Sequence, residues 1–254
     1  MITIKTKSEI AQMQKACTIV ERTLLLLRDM VEVGVTTEQM DKEAKKFIES
    51  FGATPSFLNY NGYPKSVCIS VNDQVVHGIP DGCKLRRGDI VSCDVGAYFE
   101  GYHGDAARTY IVGDTSEEAK QLIKVTRESF FKGIEYARAG NRISDISKAI
   151  QAHAESYGYG VVRELIGHGI GTKLHEKPDI PNFYDPRMGL GAKLLEGMTL
   201  AVEPMINMGS EKVYVLENGW TVLTYDGSLS AHYENTIAIT DGEPIIMTMQ
   251  LEDF

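Results

Sequence analysis

Four carboxylates and one imidazole, Asp94, Asp105, His168, Glu203 and Glu234, each lie in a short glycine-marked or strand-like segment. Oxygen-rich ligation with one imidazole suits a pair of divalent cations, because bridging carboxylates hold two like charges a few ångströms apart. Together the five suggest a two-metal hydrolase, although each alone has a plainer reading. Asp94 sits in Ile90-Val91-Ser92-Cys93-Asp94-Val95, and Asp105 stands across a hairpin whose turn is expected at Phe99-Glu100-Gly101. That places two like charges roughly opposite each other, a repulsion that a cation between them would reverse. A lone Asp in a strand more often marks a turn or an edge. His168 lies in Gly167-His168-Gly169-Ile170-Gly171, where glycines permit close backbone approach or merely a tight turn. Glu203 follows the apolar run Met198-Thr199-Leu200-Ala201-Val202, and Glu234 precedes Asn235-Thr236-Ile237-Ala238-Ile239; each could be an ordinary strand-end carboxylate.

The elements that must position these residues come in two similar sets. Thr6 and Glu9 form a capping box before apolar positions Ile10, Met13, Cys17, Val20, Leu24 and Leu27, which predicts a helix ended by Gly34. A second helix is expected over 37–51, with Met40, Ala44, Phe47, Ile48 and Phe51 on one stripe and Gly52 as its stop. Thr115 and Glu118 read as another capping box, opening a helix to about Ala137 before Gly140, and a fourth helix is expected over 144–157 before Gly158. An offset of 106 residues superimposes Glu49-Ser50-Phe51-Gly52 on Glu155-Ser156-Tyr157-Gly158. Each helix pair is followed by β-rich stretches: 66–76 and 89–112 in the first half, then 200–208, 213–225 and 231–239 in the second. No linker rich in Pro, Gly or Ser divides the chain. The reading is one α+β catalytic domain over 1–254 with an internal pseudo-repeat, its halves about 1–112 and 113–254. A site between the halves would draw ligands from both.

Composition narrows the partners. The chain has 254 residues, 43% of them hydrophobic, enough for a sizeable core. Its 26 basic residues against 35 acidic ones give a net charge of -9, so no basic field exists to hold nucleic acid. The amino terminus shows neither the basic region nor the apolar run of a secretion signal, and no stretch is long enough for a membrane span, so a cytoplasmic protein is expected. Cys17, Cys68, Cys83 and Cys93 form no C-x-x-C pair and read as free thiols. With no heptad and no exposed apolar stripe, a monomer is the expectation.

The motifs together resemble those of type I methionine aminopeptidases, members of the creatinase and aminopeptidase group with the pita-bread fold. The resemblance runs over nearly the whole chain. Its most specific parts are Gly62-Tyr63-Pro64-Lys65-Ser66-Val67-Cys68-Ile69-Ser70-Val71-Asn72, His77-Gly78-Ile79-Pro80, Gly104-Asp105, Gly167-His168-Gly169-Ile170-Gly171, His175-Glu176, Glu203-Pro204 and Tyr233-Glu234. It implies two pseudo-symmetric halves around a central metal site with an antiparallel-rich sheet. Asp94 would chelate one metal, His168 and Glu203 the other, and Asp105 with Glu234 would bridge both. The implied activity is removal of the initiator methionine from nascent proteins when the next residue is small, through a metal-bound water or hydroxide. Glu203 is then the general base, while His77 and His175 contact the scissile amide and are not ligands.

By the same resemblance, Tyr60, Tyr63, Cys68, His77 and Trp220 line an apolar pocket that takes an unbranched thioether. Phe57 stands where many relatives carry a smaller residue, and Leu174 where an aromatic is common, a pair of departures that would reshape the pocket more than resize it. His232 stands where a glutamine or similar polar residue is usual and is expected to be a hydrogen-bonding histidine beside the ligands. Asn72 and Ser230 match positions that in some relatives help hold a structural monovalent cation. The divalent metals implied are Co, Mn, Fe or Zn, a choice the ligand types leave to availability. Docking on the ribosome is left undecided, since the acidic balance offers no obvious patch for RNA. A prolidase or X-Pro aminopeptidase shares the metal set, but such relatives generally have an additional amino-terminal domain. Type II enzymes usually carry a long insertion between the second histidine and the first glutamate, whereas here His175 and Glu203 are 28 positions apart. A non-catalytic binding protein on the same fold would be marked by lost ligands.

Overall fold

A computed structural model of the chain describes residues 2–248. Helix α1 (Lys7–Met30) begins where its capping box predicts: Glu9 N–H donates to Thr6 Oγ1 and Thr6 N–H donates to Glu9 Oε2. It buries Met13, Cys17, Val20, Leu24 and Leu27 and ends at Met30, short of Gly34. Helix α2 (Thr37–Ser50) is capped in the same way by Thr36 and Gln39. Helix α3 (Glu117–Ile134) departs from expectation, because its cap is Ser116, whose Oγ accepts from Ala119 N–H. Thr115 instead donates its hydroxyl to Gly88 O, so the box expected from Thr115 and Glu118 does not form. Helix α4 (Ile143–Ser156) starts with Asp145 accepting from Arg142 N–H.

These helices lie against a nine-stranded antiparallel sheet. Its path runs from Thr54–Pro55 through Ile90–Phe99, Tyr102–Ile111, Glu234–Ala238, Thr199–Val202 and Gly167–Gly169 to Glu176–Ile180. Cys68–Val71 and Ile245–Ile246 pair onto this path from the side. Strands from the two ends of the chain meet in the middle, where Glu234 pairs with Ala107 and Asn235 with Ala106. That seam is stapled by the buried Arg108, which donates to Glu234 O, Asn235 Oδ1 and Thr248 O and lies 4.3 Å from the Tyr233 ring centre.

Strand alternation sorts the side chains onto two faces. Val91, Cys93, Val95 and Ala97 pack with Leu24, Leu27, Met40 and Ile48 of α1 and α2, and Ala106 joins them. Leu200, Val202 and Ile237 pack with Phe130, Ile146 and Ile150 of α3 and α4. The helices therefore cover one face of the sheet along its length, and the alternate positions of the same strands point to the other. There are two three-stranded sheets besides among the described residues: Ser230–His232 with Met205–Asn207 and Gly160–Val161, which packs on α3 and α4 through Ile206, Ala231 and Val161, and Val213–Val215 with Val222–Thr224 and Gln74–Val76. All four cysteines are free thiols, and no described helix is long and apolar enough to cross a membrane.

Candidate metal centre and substrate cavity

Asp94, Asp105, Glu234 and His168 lie in four strands of the sheet, and Glu203 directly follows Thr199–Val202, the strand that runs between those of Glu234 and His168. Register puts them on the face turned away from the helices. Asp94 pairs with Ala107, and Ala107 with Glu234; Asp105 is two residues before Ala107 and points the same way. Asn235 pairs with Val202, so Glu234 and Glu203 are neighbours just outside that pair, and His168 pairs with Ala201, two before Glu203. Asp94 and Asp105 are thus diagonal rather than opposite. Phe99 pairs with Tyr102, which leaves only Glu100 and Gly101 in the turn, both at positive φ, and moves the hairpin centre.

Glycines admit this convergence where a side chain would block it. A Cβ at Gly104, next to Asp105, would stand 2.7 Å from the Cys17 backbone nitrogen of α1. On either side of His168, a Cβ at Gly167 would meet Ala201 O at 2.4 Å and one at Gly169 would meet Lys177 O at 2.5 Å. The Gly-His-Gly segment is accordingly a strand held between two close neighbours, with a register shift after His168, and not a tight turn.

Burial sets the electrostatics. Asp105 and Glu234 are 3% and 2% exposed, and Oδ1 of Asp94, Oδ1 of Asp105 and Oε1 of Glu234 lack a hydrogen-bond partner. Burial raises the Asp94 carboxyl to about 7. Burial and then the neighbouring carboxylates push Asp105 and Glu234 well above the usual range, and burial followed by Asp94 does the same to Glu203. His168 is held down to about 3, first by burial and then by His175. Its Nδ1 lies 2.9 Å from Gly169 O, which fixes the proton there and leaves the Nε2 lone pair facing Asp105 Oδ2 at 4.0 Å and Glu203 Oε1 at 3.7 Å. Orphaned buried oxygens, mutual repulsion and an available imidazole make a donor set that divalent cations fit. Two overlapping groups have donor atoms within 4.8 Å of one another, Asp105 with His168 and Glu234, and Asp94 with His232 and Glu234.

His232 was not expected as a donor in its own right. Its ring is buried, both nitrogens lack a hydrogen-bond partner, and burial lowers it to about 3. The hydrogen bonds expected of it are absent among the described residues. Its position two residues before Glu234, on the same side of an extended chain, is the signal that could have exposed it.

Above the carboxylates opens a cavity of about 370 Å³. Phe57, Tyr60, Tyr63, Cys68, His77, Leu174, His175 and Trp220 line it, together with Asp94, Asp105, His168, Glu203 and Glu234. Val76, Leu165, Ile166 and Met205 add apolar wall for which the sequence gave no separate signal. Tyr63 and Trp220 meet edge to face with ring centres 5.1 Å apart, and Tyr63 OH donates to Gly78 O. Phe57 reaches the Gly96 backbone, where a Cβ would stand 2.7 Å from its ring, and shares one apolar cluster with Leu174. His175 Nδ1 is 2.7 Å from Tyr60 OH, and its ring stands edge-on to His168 with centres 4.1 Å apart. His77 holds a left-handed φ of 57°, a strained conformation for a residue other than glycine, and burial lowers its pKa to about 4. Asn72 and Ser230 are joined by Ser230 N–H donating to Asn72 O, while the Asn72 side chain is engaged with Ile90 N–H and Asp89. Two clefts elsewhere, of about 430 and 820 Å³, contain neither a histidine nor a buried carboxylate.

Residues 11–241 match the family model described as metallopeptidase family M24. The methionine aminopeptidase of Clostridium perfringens is 54% identical over 249 residues, covering 98% of this chain and 99% of that protein. Among solved structures, the methionine aminopeptidase of Rickettsia prowazekii superimposes with a TM-score of 0.95 at 44% identity, covering 98% of this chain and all of that one. A prolidase from Pyrococcus furiosus shares the fold at a TM-score of 0.79 and 25% identity, and 65% of its length is covered.

Proposed function

The chain belongs to metallopeptidase family M24, and from that premise we propose that it is a methionyl aminopeptidase that removes the initiator methionine from nascent chains when the next residue is small. The high identity to methionine aminopeptidases over nearly their full length supports this reading over a prolidase or a non-catalytic binding protein. The observation that carries the chemistry is the convergence of five donors, four within strands and Glu203 at the end of a fifth, on the floor of an aromatic-walled cavity. Asp94 would hold one divalent cation, His168 and Glu203 a second, and Asp105 and Glu234 both. Cations bound there would supply an acidified water and polarise the scissile carbonyl.

The chain's own residues do the rest. Glu203, in the ionised form that a bound cation would favour over the neutral form that burial favours without one, would take a proton from water and pass it to the leaving amine. His77 and His175 are neutral donors at the cavity wall, placed to hydrogen-bond the amide as charge develops on its oxygen. Tyr63, Cys68, Phe57, Leu174 and Trp220 receive the thioether side chain and exclude water around it. Which of Co, Mn, Fe or Zn serves is a matter of availability for ligands of this kind, and the place of action is the cytoplasm, where nascent amino termini emerge.

Hydrolysis of Met-Ala-Ser by metal-stripped protein resupplied in turn with Co, Mn, Fe and Zn tests the assignment. Methionine release with at least one metal, and no cleavage of an X-Pro dipeptide, is expected. No release with any metal overturns the enzymatic reading, and preferential X-Pro cleavage replaces it with the prolidase one.

A further inference from the structure

His232 closes the short strand Ser230–His232, and one residue separates it from Glu234, so in extended chain both side chains emerge on the same side. Its backbone is fixed at both polar atoms by one side chain: His232 N–H donates to Thr109 Oγ1 at 3.0 Å, and Thr109 donates to His232 O at 2.9 Å. The ring is therefore aimed by the sheet. It is 2% exposed, yet neither ring nitrogen has a hydrogen-bond partner. Nε2 stands 3.7 Å from Glu203 Oε2 and 3.8 Å from Glu234 Oε2, too far to donate to either. Those separations have another meaning. Two ligand atoms that each lie roughly 2.1 Å from a common ion stand at most about 4.2 Å apart, so the distance to Glu234 fits neighbours in one coordination shell, and the Asp94, His232 and Glu234 donor atoms all lie within 4.8 Å of one another.

Resting on the two-metal reading above, we propose that His232 Nε2 is itself a ligand, held with Asp94 and Glu234 for the cation that His168 does not reach. Glu234 belongs to both donor groups, and each then contains one imidazole: His168 beside Asp105, and His232 beside Asp94. A site of carboxylates alone suits magnesium or manganese, whereas an added imidazole shifts preference toward iron, cobalt, nickel and zinc. The departure from a glutamine-like residue at this position thus changes the ligand chemistry of the second cation without disturbing the five-residue set.

Nuclear magnetic resonance on the full chain, with isotope-labelled histidine nitrogens and a spin-half cadmium isotope as the probe metal, reads bound nitrogens directly, since only these are split by the metal. At two cadmium ions per chain, two split histidine nitrogens are expected. In His232→Gln one of the two disappears, and cobalt titration shows one site weakened by about 10-fold or more with the other unchanged. His232→Asn gives the same reading should the glutamine variant not fold. One split nitrogen in the wild-type protein, or two that both survive in the variants, overturns the proposal and leaves His232 a residue that only positions its neighbours. Absence of cadmium uptake fails the two-metal reading itself and takes this proposal with it, an outcome separate from uptake of two ions with a single split nitrogen.

Discussion

Two jobs, metal ligand and general base, are proposed for Glu203. Asn182 Nδ2 donates to its backbone carbonyl, Oε1 faces His168 and Oε2 faces His232, so the carboxylate is fixed between two imidazoles in a buried, acid-crowded place that raises its proton affinity. Glu203→Ala is expected to lower methionine release from Met-Ala-Ser by about 10²- to 10⁴-fold, the range for a lost general base. Normal turnover in that variant refutes the assignment. The role proposed for His175 gives a cleaner separation of binding from catalysis, because its Nδ1 is occupied by Tyr60 OH and a contact to substrate would fall to the other nitrogen. His175→Ala should keep its metal content and lose about 100-fold in kcat, roughly 3 kcal/mol of transition-state stabilisation. Unchanged kcat, or loss of metal on elemental analysis, contradicts that role. At this scale the sequence was informative through types and motifs, since every residue expected to bind divalent metal, act on the amide or receive the side chain lines one cavity. For His232 it offered only a hydrogen-bonding role, because a histidine in place of a polar residue two positions from Glu234 looks like an outer group until its unpartnered nitrogens are seen.

Helix starts and strand faces were readable for a local reason: capping boxes and alternation act within a few residues. Thr6 and Glu9 cap α1 as expected, and the error at α3 is a shift of one hydroxyl, with Ser116 taking the cap because Thr115 is drawn to Gly88. The short strands Gly167–Gly169 and Glu176–Ile180 were missed because pairing partners distant in sequence, not side-chain pattern, hold them in place. The same limit hid the sheet order and the two-residue offset between Asp94 and Asp105. Close packing of α1 on the Asp105 strand yields a prediction of its own. A Cβ at Gly104 would stand 2.7 Å from backbone of α1, which cannot rotate away as a side chain can. Gly104→Ala must therefore part helix and strand, at a cost of about 1–3 kcal/mol, or several degrees in Tm for a chain of this size. Calorimetry with an unchanged Tm would show that the helix gives way freely.

Across the whole molecule the seam between strands from the two ends of the chain is also where negative charge is concentrated, so folding must bring four carboxylates together. Before any cation binds, two sets of buried groups oppose each other in their pH dependence. His77, His168 and His232 are lowered from 6.5 to about 4, 3 and 3; the stability they contribute is present above pH 6.5 and is lost as pH falls toward those values. Asp94 is raised from 3.8 to about 7, with Asp105, Glu203 and Glu234 raised well above their ordinary values. Their stability is fully present below the unfolded carboxylate values and is lost as pH rises through the folded ones. Buried thiols at Cys17, Cys68 and Cys93 are raised too, but they act only as pH approaches the ordinary thiol value of 9.0. Between pH 7 and 8 the carboxylates therefore dominate among these groups. Metal-free protein should lose Tm across that interval, with a slope of about 1.4 kcal/mol per pH unit for each proton the folded state still retains. Saturating divalent cation replaces those protons and should raise Tm while flattening the slope. A metal-free protein whose Tm is level from pH 7 to 8 would show that the carboxylates are already ionised in the fold, and that the seam tolerates their repulsion without a cation.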